Sequence, residues 1–160
     1  GHKEVGIAQM FKFLATERDS PVSGRWATHY AALMADAYRK ARKTVEGLNV
    51  VTDALAVAHQ TECRYYEAEL HRIKGELVLT QTVANEEQAE SFFQQASEVA
   101  RHQAAKSLEL RGAMSLSRLW KRQGKQKEAQ QLLAEIYNWF TEGFDTADLK
   151  EAKALLEELA

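Results

Sequence analysis

Five residues in the middle of the chain, Glu62, Cys63, Glu67, Glu69 and His71, form its richest cluster of metal-ligating side chains. A protein metal site needs three or four such ligands converging on one point, and on a helix only residues three or four apart share a face. Glu67 and His71 meet that spacing and make one pair, so they read as a surface ion pair, not a metal site. His29, His59 and His102 stand singly in separate segments, which suits surface or boundary positions. A thiol near a helix start gains thiolate character. Cys63 occupies such a place, but nothing is spaced to serve it as base or acid, and it reads as a small, partly buried thiol. Neither a Gly-x-x-x-x-Gly-Lys-Ser/Thr loop nor a G-x-G-x-x-G loop occurs, so no phosphate cradle is expected. With no nucleophile beside a base and no pair of opposed carboxylates, this chain is not expected to be an enzyme, and no cofactor or metal is expected.

The elements that would carry these residues are helices. The 160 residues, 45% apolar and 28% charged, suffice for one domain with a real core. Eight Gly, one Pro, one Cys and a formal net charge of -2 exclude collagen-like, disulfide-scaffold and disordered classes. A pI near 6.3 argues against a dominant nucleic-acid-binding or membrane-binding surface. Cys63 has no partner for an internal disulfide, and neither a signal peptide nor an apolar run of about twenty residues is present, so a cytoplasmic setting is expected. The opening Gly1-His2 reads as a tag remnant on a fragment of a longer protein. Apolar residues recur at helical spacing, as in Leu108, Ala113, Leu116, Leu119, Trp120 and again in Ala129, Leu132, Leu133, Ile136, Tyr137, Phe140. Breaks are expected at Asp19 to Gly24, Thr44 to Glu46, Thr82 to Asn85, Gly124 and Gly143 to Thr146, giving about eight helices. The last has Asp145 or Thr146 as its cap, Asp148 in its positive first turn, and one stripe of Leu149, Ala152, Leu155, Leu156 and Leu159.

The chain also aligns with itself. Ala31, Met34, Ala35, Tyr38, Gly47, Val51 and Ala54 correspond to His71, Lys74, Gly75, Val78, Ala89, Phe93 and Ala96, and then to Ala113, Leu116, Ser117, Trp120, Ala129, Leu133 and Ile136, at intervals of 40 to 42 residues. Gly6, Met10 and Phe13 match the second half of a unit. The organisation is therefore a remnant at 1–2, a half repeat at 3–18, repeats at 24–62, 63–104 and 105–142, and a capping helix at 145–160. Small residues let two helix backbones approach, and a large residue one turn on fills the space beside them.

A small residue in the first helix (Ala35, Gly75, Ser117), then small-x-x-x-large-x-x-small in the second, resembles the tetratricopeptide repeat, with Ala89-x-x-x-Phe93-x-x-Ala96 the best match. The interval exceeds the usual ~34 residues, and its length alone matches HEAT and armadillo repeats. The segments Tyr66 to Leu77, Lys106 to Arg111 and Ile136 to Leu156 further resemble the C-terminal repeat region of large bacterial signalling proteins. In those, a class III adenylate or guanylate cyclase domain or a DNA-binding domain precedes a STAND-type ATPase. The resemblance implies an all-α right-handed α-solenoid, and the role of a non-catalytic protein-interaction, sensor or assembly arm in signal transduction. The alternative is a small-molecule sensor binding a metabolite or nucleotide in the concave groove.

In tetratricopeptide arrays the first helices line that groove. Carried over by alignment, the groove residues are His29, Ala32, Asp36, Arg39 and Lys40, then Glu69, Arg72, Glu76, Leu79 and Thr80, then Arg111, Met114, Arg118, Lys121 and Arg122. Carboxylates in the second unit and cations in the third suit an extended peptide or helix of graded charge; self-pairing of Glu69, Arg72 and Glu76 along one helix is the plainer reading. Reversing Arg111 and Arg118 to Glu is expected to spare the fold and abolish partner binding. Two basic clusters, Arg39, Lys40, Arg42, Lys43 and Lys121, Arg122, Lys125, Lys127, fall at matching turns, but the turn Thr80 to Glu87 has no cation, so a nucleic-acid stripe is disfavoured. Tyr38 and Trp120 read as core, and Trp139, Phe140 and Phe144 as packed beneath the last helix. The expected partner is a protein or peptide, other domains of the same parent chain included; no membrane is involved, and a severed repeat could make the fragment self-associate.

Overall fold

A computed structural model describes residues 23–81 and 85–160. The half repeat expected at 3–18, the remnant at 1–2 and the turn residues 82–84 lie outside the described residues. Within them the chain is all-helical, with seven helices and no strand: α1 Ser23–Lys40, α2 Thr44–Thr61, α3 Glu67–Leu79, α4 Glu86–His102, α5 Lys106–Arg122, α6 Gln126–Tyr137 and α7 Ala147–Leu159.

Each helix packs on its neighbours in sequence, and α1 on α3, α3 on α5 and α5 on α7, while α2, α4 and α6 do not touch one another. Cross-links fix the directions. Ser117 Oγ donates to the carbonyl of Ala129, and the Trp120 indole N–H to Glu90, so α5 runs antiparallel to both α6 and α4. Arg111, Arg118 and Lys121 meet Asp148, Glu151 and Glu158 in the same chain order, so α5 and α7 are parallel. The result is a layer of parallel helices α1, α3, α5 and α7, backed by three separated helices.

The small and large residues of the aligned units are what hold the pairs together. Ala35, Ser117, Ala89 and Ala129 have no exposed surface, nor do Val51, Phe93 and Leu133. At Gly75 the approach is so close that an added Cβ would stand 2.5 Å from Cε1 of Phe93. Tyr38 is buried as expected, but Trp120 is only partly buried: its indole must reach the Glu90 carboxylate at 2.8 Å, which keeps one edge of the ring near solvent. The last helix lays Leu149, Ala152, Leu155 and Leu159 on Leu110, Met114, Leu133 and Ile136.

The turns depart from expectation. The break after α1 is not Thr44 to Glu46, which opens α2, but residues 41–43, with Arg42 left-handed at φ 59°. Ala104 at φ 53° and Gly124 at φ 79° make the same turn. In each, the third residue past the helix donates back to a carbonyl five residues earlier: Lys43 to Tyr38, Ala105 to Ala100 and Lys125 to Trp120, at 2.9, 2.8 and 2.9 Å. This is a Schellman closure, used three times. Thr146 precedes α7, but its hydroxyl donates to the Gly143 carbonyl and does not cap the helix. Trp139 and Phe144 do not pack beneath α7. They are 59% and 46% exposed, because the stripe of α7 already fills the face of α5 and α6, and only Phe140 reaches that cluster.

Candidate groove over the parallel helix layer

Two adjoining recesses, of about 600 and about 510 Å3, open on the layer α1, α3, α5 and α7, and no residue of α2, α4 or α6 lines either. The smaller is lined by Asp36, Arg39, Lys40, Glu69, Arg72, Glu76, Arg111, Met114 and Arg118 among others, so nine expected groove residues converge there. Lys121, with Leu79, Thr80 and Arg122, lines the larger. Two expectations fail. His29 stands two turns before Asp36 with its ring edge-on to Tyr66 at 4.5 Å, outside both linings, because Tyr66 ends the α2–α3 turn directly against it. Ala32 is 2% exposed and belongs to the core.

Ion pairs floor the groove from one side to the other. Burial by itself would raise the Asp36 carboxyl, yet hydrogen bonds from Lys40 and Arg39 hold it below the usual carboxylate range. Arg39 donates to Asp36 through Nε and Nη2 at 3.0 and 2.8 Å, and Lys40 lies 2.6 Å from it. Arg72 grips Glu69 with Nε and Nη2, both at 2.9 Å, and its Nη1 lies 3.6 Å from Glu76. Burial opposes the Arg72 charge, and the fork to Glu69 more than offsets it, so its pKa is raised. Ser115 donates to Glu76 at 2.7 Å, tying α5 to α3. Arg111 bridges Glu69 at 3.5 Å and Asp148 at 2.8 Å.

The expected gradient of charge is therefore cancelled in place. Asp148, Glu151 and Glu158 of α7 sit against Arg111, Arg118 and Lys121, at 2.8, 2.6 and 2.9 Å. From its sequence α7 is expected to be a seal, with Asp148 only complementing its positive first turn and no role for Glu151 or Glu158. The signal was present: they follow helical spacing beside the apolar stripe, so burying that stripe on α5 turns them toward the groove. Arg111 is a strut holding α7 as well as a groove residue, so its reversal would not spare the fold.

The remaining candidates are structural. The Glu67–His71 pair is not on the surface: Glu67 is 4% exposed, 3.9 Å from His71, 3.5 Å from His59 and 3.9 Å from Arg64, because its helix start is wedged between α2 and α4. Burial lowers the His71 pKa, against the pull of Glu67. Among the described residues no group of three His, Cys, Asp or Glu is placed to hold a metal ion, and no helix is long and apolar enough to cross a membrane. In the basic clusters Arg39, Lys40, Lys121 and Lys125 each have a carboxylate within 4 Å. Compared with known proteins, the chain matches no family model and aligns significantly with no curated sequence.

Proposed function

We propose that this chain is a non-catalytic interaction module, a tetratricopeptide-like solenoid whose groove over α1, α3, α5 and α7 takes a protein or peptide. It serves as a cytoplasmic regulatory or sensor arm of a larger bacterial signalling protein that carries a nucleotide cyclase and an ATPase. One observation carries the reading: nine side chains assigned to a groove by alignment to the tetratricopeptide repeat, from three separate helices, line one recess. The buried small and large residues of all three aligned units support the same packing scheme.

The test compares the parent protein with a version lacking residues 4–160. Altered cyclase rate, ATP hydrolysis or assembly size is the expected result. Identical behaviour in all three would sink the regulatory arm and leave a docking surface for a separate protein. The second reading, a small-molecule sensor, rests on the recess of about 600 Å3, a volume within the range of ligand sites. A nucleotide or metabolite that raises the melting temperature, and loses that effect when Arg122 is replaced by Ala, would favour it.

A further inference from the structure

The carboxylates of α7 differ from those deeper in the groove. Glu69 is 8% exposed and shared between Arg72 and Arg111, which fixes it in the fold. The side chains of Glu151 and Glu158 are 58% and 61% exposed, and each is held by a single cation, Arg118 or Lys121, themselves 41% and 38% exposed. Such surface pairs are weak, and an incoming carboxylate of equal strength exchanges with them at little cost. The backbone of α7 does not depend on them, since Leu149, Ala152, Leu155 and Leu159 anchor the helix and Asp148 binds Arg111.

The larger recess supplies what else a ligand would need. Leu79, Ala154 and Leu155 give it an apolar wall, and Arg122, exposed at its rim, has no ion pair among the described residues. A ligand that displaces Glu151 and Glu158 therefore gains two half-exposed cations, Arg118 and Lys121, and a third, Arg122, that is unspent. That favours an acidic segment with apolar side chains over a basic one, which would face Glu76, Glu151 and Glu158 while repelled by Arg118, Lys121 and Arg122.

We infer that α7 is a built-in competitor for the groove: Glu151 and Glu158 hold Arg118 and Lys121 until the carboxylates of an acidic, apolar segment of a protein partner replace them. This rests on the reading of the groove as a peptide site. It makes the site selective, because a partner must displace the chain's own carboxylates, and binding weakens with salt chiefly through the newly paired Arg122, since the pairs at Arg118 and Lys121 are exchanged and not added.

The experiment titrates the full chain with three fluorescent peptides of Leu alternating at helical spacing with Glu, with Lys or with Gln. The Glu peptide should bind, the Lys peptide should not, and raising the salt should weaken the Glu peptide. In the double variant Glu151→Gln, Glu158→Gln the affinity for the Glu peptide should rise by about two- to fivefold per residue, the range of one exposed ion pair. In Arg122→Gln it should fall by a similar factor. Melting curves matching the unaltered chain show that α7 stays docked. Unchanged or weaker binding in the double variant overturns the competitor role. A preference for the Lys or Gln peptide, or no binding by the Glu peptide, overturns the partner's chemistry. The interaction module itself stands or falls separately, on the deletion comparison in the parent protein.

Discussion

Replacing Gly75 with Ala tests the helix contact on which the repeat reading depends. In a helix interior, Ala should stabilise by about 1 kcal/mol over Gly. Here the new Cβ would lie 2.5, 2.8 and 3.1 Å from Cε1, Cδ1 and Cζ of Phe93, against an optimum of about 3.5 to 4.0 Å for carbon pairs. The ring cannot swing away, since Phe93 has no exposed surface. Overpacking of this kind costs about 1 to 3 kcal/mol, so the net expectation is a loss of about 1 kcal/mol, or a melting temperature ~2 to 4 °C lower. Gly47→Ala is the internal control. Its Cβ would meet the end of the Leu77 side chain, at 2.8 Å from Cδ2, and Tyr38 Cβ at 3.4 Å; a branched aliphatic end adjusts by a rotamer shift more readily than a ring, so the helix gain should roughly cancel the smaller clash. Thermal melts of both, with Phe93→Leu alone and combined with Gly75→Ala, complete a cycle. Phe93→Leu should soften the effect of Gly75→Ala by about 0.5 kcal/mol or more, the signature of residues in contact. A rise in melting temperature for Gly75→Ala, or additivity across the cycle, would refute the close approach.

Other predictions follow from the turns and the ion pairs. Ala104→Gly removes a Cβ from a left-handed residue at φ 53° and should stabilise by about 1 kcal/mol; Gly124→Ala, at φ 79°, should cost a similar amount, both read from denaturant midpoints. His71 is held neutral by burial, its pKa below the ordinary value of about 6.5. The unfolded chain thus binds the proton first, so stability is full above pH ~6.5 and declines as pH falls below it; His71→Gln should flatten that limb of the melting-temperature profile, and an unchanged limb would show another group at work. Arg111→Glu would set a third carboxylate beside Glu69 and Asp148. With the arginine side chain 36% exposed, the loss should be about 1 to 2 kcal/mol after screening, with faster hydrogen exchange in α7; unaltered exchange would show that Arg111 does not hold it.

What the sequence revealed was whatever depends on neighbours along one helix pair. Small residues opposite large ones, such as Gly75 opposite Phe93, leave a periodic mark because both sides of the contact lie within one unit. The groove residues of α1, α3 and α5 came instead from the resemblance to the tetratricopeptide repeat, whose inward-facing positions the alignment carries onto these helices. The left-handed residues Arg42, Glu62 and Ala104 were not legible, because none is Gly; at Glu62 and Ala104 the ends of the aligned units mark a junction but not its conformation. The charge balance of the groove was hidden too. It depends on how α7 returns to α5 across the residues between Tyr137 and Ala147, a distance over which no sequence period runs. Trp139 and Phe144 were misplaced by the assumption that large aromatics near a helix end are always wanted inside.

Among the described residues no helix touches another more than two places away along the chain. Contacts so local are cheap to close, so folding should be fast for a protein of this length and able to start at any helix pair. Stability in such a stack is set pair by pair, so one helix pair can open while the next stays closed. Gaining or losing a pair alters the reach of the stack without rewriting the rest. Lineages can thus lengthen or shorten such an arm by duplication, one pair at a time, and leave every retained contact as it was.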